Sequence, residues 1–191
     1  MRPLLLLPLL LAACRPADGP GGVDGADAPG DTGRVEAVDV VTATEAQAEL
    51  AGVDGSGVEG TVSVADVGGS ARVVAEVGGL PGGDQFFALQ VLASGSCDDP
   101  GDRPPHFDPD GAPHGPFDAA LGQRHAGDLG NLRGYDGSGR YDRFDPLLAL
   151  RGERSAVGHA VVVRAGPDDV YTPPDGDAGA VLACGILEAR P

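Results

Sequence analysis

Tryptophan is absent from this 191-residue chain, and aromatic residues make up only 4% of it. No helical period is sustained anywhere and no internal repeat is visible. Together these absences exclude a helical bundle and a repeat array. Basic residues are scarce: 13 Lys and Arg stand against 29 Asp and Glu, a formal charge of −16. Such a chain is repelled by nucleic acid, so that partner class is discarded and the charge is assigned to solubility. Long hydrophobic runs are missing too. The strongest, at residues 4–11, is too short to span a bilayer.

Glycine and proline, by contrast, are plentiful, at 32 and 17. From residue 46 the chain alternates apolar with polar residues in short runs. AQAEL at 46–50, VEGTVSV at 58–64 and the returning run at 71–77 each read as a half-buried strand, and residues 85–92 make a further strand. Gly-rich turns separate them, and GGS at 68–70 closes a hairpin. Residues 159–164, HAVVVR, and 181–187 make two more strands, with a polar loop at 165–179 between them. Residues 130–139 read as a second Gly-rich turn region, and 141–150 as an irregular strand or connection. Short strands with Gly-rich turns point to an all-β sandwich or barrel.

Residues 97–131, CDDPGDRPPHFDPDGAPHGPFDAALGQRHAGDLGN, hold three of the four histidines, His106, His114 and His125, and then Asp128. Three imidazoles and one carboxylate complete a tetrahedral zinc shell. A long Gly- and Pro-rich loop can wrap such donors around one point. Solvated histidines that bind nothing are the bland alternative. The runs HFDPDGAPHG and RHAGDLGN, with DAGAVLACGIL near the C-terminus, resemble the copper/zinc superoxide dismutases over residues 46–188. The resemblance implies an eight-stranded Greek-key β-barrel. It also implies zinc ligation by His106, His114, His125 and Asp128, one zinc per chain, with His106 as the histidine that bridges to copper. Asp168 matches the family's outer carboxylate, which orients metal-binding histidines and would hold His114; a solvated loop acid is the alternative. Cys97 and Cys184 sit where the family has its disulfide.

The same resemblance leaves Cys14 as the odd cysteine. Residues 1–13 have the layout of a secretory signal, and LAAC at 11–14 looks like a bacterial lipobox, whose cysteine is lipidated. A free thiol after an ordinary signal cleavage is the alternative. Residues 14–45 are expected to form a disordered acidic tether with little to bury, and residues 46–191 the metal-binding domain. These readings place the protein outside the cytoplasm, anchored to a membrane through Cys14.

The copper ligands that the resemblance implies are largely missing. Ala88 and Gln90 stand on one strand face where an H-x-H pair belongs. Arg164 stands at another ligand position, and a guanidinium donates only and cannot coordinate. Val181 replaces the arginine that guides superoxide. His159, five residues before Arg164, faces the opposite side of its strand and reads as a surface or edge histidine. Copper is therefore not expected. Zinc is redox-inert, so the expectation is a zinc-binding, dismutase-like lipoprotein domain without dismutase activity. Two alternatives stand beside it: an active superoxide dismutase, and a metal-buffering or partner-binding lipoprotein.

Overall fold

The computed structural model describes residues 43–190, and the expected signal, Cys14 and most of the tether lie outside them. Nine antiparallel strands occur among the described residues, with no helix. They are β1 (Glu45–Gly52), β2 (Glu59–Val67), β3 (Ser70–Gly78), β4 (Asp84–Val91), β5 (Asp128–Tyr135), β6 (Ser138–Asp145), β7 (Ala160–Arg164), β8 (Val181–Ile186) and β9 (Glu188–Arg190). The sheet runs β2-β3-β6-β5-β4-β7-β8-β1, and β1 also pairs with β2, so the eight strands close into a barrel. Closure removes the exposed edges that an open sheet would present. Short β9 continues the β8 side and pairs with the start of β1.

Alternation in the sequence becomes the two faces of the barrel wall. Val62, Val64, Val73, Ala75, Phe87, Leu89, Val91, Val161 and Val163 point into one core. Small aliphatic residues dominate it, which is how a chain with few aromatics fills a narrow barrel. On β4 and β7 the other face is buried as well. Ala88, Gln90 and Arg164 are fully covered there by the loops.

The structure corrects the reading of residues 130–139. They are not a turn region: most belong to β5 and β6, joined by an Asp136-Gly137 hairpin turn. The strand was obscured because two of its positions must be glycine. Gly134 lies under Phe87, whose ring would be 2.6 Å from any Cβ placed there. Gly130 has φ 79° and sits in a bulge, where Leu129 and Gly130 together face Leu89. Of residues 141–150, read as an irregular strand or connection, 141–145 are the strand, continuing β6 without irregularity, and 146–150 the connection. β1 starts at Glu45, one residue before the expected onset, and Ala43 is already buried.

Two long loops leave the neighbouring antiparallel strands β4 and β7, residues 92–127 between β4 and β5, and residues 165–180 between β7 and β8. Cys97 in the first is joined to Cys184 on β8, across 87 residues of sequence. Replacing both cysteines by serine is expected to lower stability by about 2–4 kcal/mol, read by thermal unfolding without reductant.

Candidate metal centre

Local backbone pairing sets the histidines before any side-chain contact does. His106 pairs with Leu92 in an isolated bridge just beyond β4. Next to it, Phe107 donates to Val91 O (2.8 Å), Val91 to Gly127 O (3.0 Å) and Gly127 to Phe107 O (2.8 Å). This stitch folds the loop back on itself, so His106 and Asp128, 22 residues apart in sequence, meet at the foot of β5. Asp128 opens that strand, immediately before the bulge.

Asp128 is the hub. Its Oδ1 lies 2.6 Å from His106 Nδ1 and 3.0 Å from both His114 Nδ1 and His125 Nδ1. Its Oδ2 accepts from the backbone N–H of Gly115 (3.0 Å) and of His125 (2.9 Å). The four donor atoms all lie within 4.8 Å of one another. A tetrahedron of nitrogen and oxygen at zinc bond lengths has edges of roughly 3.3 Å, so the donor set fits a metal ion after small adjustments. Asp128 and His106 are buried, while the side chain of His125 keeps a small exposed edge.

Asp168 reaches the other side of His114, with Oδ1 2.9 Å from Nε2. It is itself held tightly. Asn131 donates to its carbonyl (3.0 Å) and accepts from its N–H (2.7 Å), and Val170 N–H donates to Oδ1 (2.7 Å). Such outer carboxylates fix the tautomer and tilt of a metal-binding imidazole.

Charge is concentrated here. Burial by itself would lower the pKa of His114, but hydrogen bonds to Asp128 and Asp168 outweigh it and raise it from 6.5 to about 10. Burial would raise the Asp128 carboxyl, yet the three histidines hold it well below the usual carboxylate range. In the metal-free chain His114 therefore contributes stability that is complete below pH 6.5 and is lost as pH climbs towards about 10. A bound metal takes the place of the proton. Thermal unfolding between about pH 6 and 10 should show the loss in metal-free protein and not in metal-loaded protein.

Some neighbours carry no motif signal and escaped the sequence reading. Arg124 is fully buried and donates to the carbonyls of His125 (2.9 Å) and Asp128 (3.3 Å). Its other nitrogen pairs with both oxygens of Asp145, each at 2.8 Å. Asp175 accepts from Arg164 (2.8 Å) and Arg103 (2.8 Å). The doublet of Arg164 and Asp175 was detectable only as a buried charge that needs a partner.

The remaining positions lie on the far side of this cluster. Gln90 and Arg164 meet Asp175, and the Arg164 guanidinium also donates to Gly179 O and to Asp102 O (2.9 Å). Burial lowers the pKa of Arg164 against the opposing pull of Asp175. Val181 is paired with Arg164 across β7 and β8 and is buried. His159 is half-buried rather than a surface residue: its ring packs on Phe107 at 4.2 Å and Nδ1 donates to Leu92 O (3.0 Å). It is not part of the cluster.

The chain is similar to known proteins in sequence and in fold. A family model described as copper/zinc superoxide dismutase (SODC) matches residues 58–187. The chain belongs to that family. Superoxide dismutase [Cu-Zn] A of Xenopus laevis is 41% identical over 90 residues, which are 44% of this chain and 58% of that protein. The chain thus spans little more than half the length of that relative. A crystal structure titled as that of the clock protein EA4 superposes with a TM-score of 0.66 at 28% identity, covering 78% of this chain and 96% of the other. As a member of the dismutase family the chain has a His/Asp cluster that can hold a metal ion. Its disulfide is consistent with a place outside the cytoplasm.

Proposed function

We propose that this is a zinc-binding, dismutase-like domain that does not dismutate superoxide, carried outside the cytoplasm on a lipid attached to Cys14. One observation carries the reading. At the three positions where the family resemblance puts copper ligands stand Ala88, Gln90 and Arg164, all fully buried. Ala88 offers a methyl group. The Gln90 amide nitrogen is used by Asp168 and the carbonyl of Asp175, at 3.0 Å each. The Arg164 guanidinium is used by Asp175, Gly179 and Asp102. Two cationic groups, Arg164 and Arg103, share Asp175, so positive charge already occupies the region. Copper does not fit this set. His106, His114, His125 and Asp128 fit zinc, which would order the 92–127 loop and supply no redox step.

A second reading rests on a single atom. His106 Nε2 is buried and has no hydrogen-bond partner among the described residues. In the family that histidine bridges to copper, so a copper ion held there in an altered way would make the chain an active dismutase. Superoxide turnover of copper- and zinc-treated protein separates the two. The proposed function expects a rate equal to the metal-free control. Copper-dependent turnover would establish the second reading instead. Copper uptake by the A88H/Q90H/R164H variant, absent from the unmodified chain, would show that these three positions decide the matter.

A further inference from the structure

We infer that Gln90 is a positioning residue for the metal centre, fastening Asp168 so that Asp168 can orient His114. The inference rests on the proposed zinc role of the His/Asp cluster. Gln90 is fully buried on β4, on the face that the two loops cover. Its amide donates one hydrogen to Asp168 Oδ2 and the other to Asp175 O, both at 3.0 Å. Asp168 therefore divides its carboxylate, with Oδ2 taken by Gln90 and Oδ1 by His114 Nε2 at 2.9 Å. The opposite ring nitrogen of His114 faces Asp128. A continuous line runs from Gln90 through Asp168 and His114 to the point where the donors converge.

The second hydrogen of the amide explains why the line can be stiff. Asp175 lies on the same loop as Asp168 and is locked by Arg164 and Arg103. Gln90 thus grips the 165–180 loop at two places seven residues apart, and a shift of Asp168 breaks the first of these bonds. A glutamine fits this task because both acceptors are oxygens and its amide offers two donors. Leucine or methionine at position 90 would fill the volume and leave Asp168 Oδ2 without this donor. Outer hydrogen bonds of this kind change metal affinity by about 10- to 100-fold.

The test is Gln90→Met, which keeps the length of the side chain and removes its donors, compared with Asp168→Asn and with the double variant. Zinc affinity is measured by competition with a chromophoric chelator, and the visible absorption of cobalt(II) placed in the site reports ligand geometry. Q90M is expected to weaken zinc about 10-fold or more and to shift the cobalt bands. The double variant is expected to lose little beyond D168N, because both changes cut one line. Zinc affinity and cobalt spectrum unchanged in Q90M, even with a lower melting temperature, would overturn this role and leave the zinc reading standing. Failure of the unmodified chain to bind zinc would overturn both.

Discussion

Replacing Asp128 by alanine is expected to abolish stoichiometric zinc binding and also to destabilise the metal-free fold. The carboxylate takes three imidazole nitrogens on one oxygen and two backbone N–H groups on the other. Its removal takes one ligand from four and leaves buried donors facing a void. Breaking a buried, charge-assisted cluster from one side costs about 3–5 kcal/mol. Asparagine at the same place would still accept from the backbone but would supply no charge. It should recover part of the stability and little of the zinc affinity. Urea unfolding of metal-free protein and zinc content by elemental analysis check both parts. One retained zinc per chain in D128A would show that Asp128 is not a ligand.

Asp145→Ala is expected to have a comparable effect on stability by a different route. Asp145 is fully buried, and so is its partner Arg124. One guanidinium nitrogen donates to both oxygens of Asp145, and Asp145 also accepts from Leu147 N–H (2.7 Å) and Leu148 N–H (3.1 Å). Losing the carboxylate strands a guanidinium inside the protein, at a cost of about 3–5 kcal/mol. The effect should reach the metal centre, because Arg124 holds the carbonyls of His125 and Asp128. Removing both charges together, as in R124M/D145L, should recover much of the loss, since a buried pair is often replaceable by apolar side chains of similar volume. A loss under about 1 kcal/mol in D145A would mean that water reaches Arg124.

Much of this organisation was legible in the sequence, and the parts that were not share a physical reason. Strands β1 to β3 announced themselves by alternation, and β4, β7 and β8 by short runs rich in apolar residues. The His/Asp cluster did so by residue type and order. β5 and the start of β6 stayed hidden because Gly130 and Gly134 serve backbone geometry and close packing, which erased the apolar pattern. Short β9 has too few residues to carry a period. Asp168 was visible only as a candidate, whereas Arg124, Asp145, Asn131 and Asp175 gave no local signal at all. Their roles arise from contacts between segments 11 to 85 residues apart. A buried charge finds its partner through the fold, and no spacing rule reveals the pairing in advance. Gln90 illustrates the limit from the other side. The family resemblance implies an imidazole at that position, and the structure shows what the amide does there.

The most direct measurement is native mass spectrometry of the protein after exposure to copper and zinc together, followed by removal of loosely held metal. A mass increase of one zinc per chain, with no copper, is the expected result. One tightly bound copper per chain would contradict it, and would mean that His106 and groups other than Ala88, Gln90 and Arg164 rebuild a second metal site.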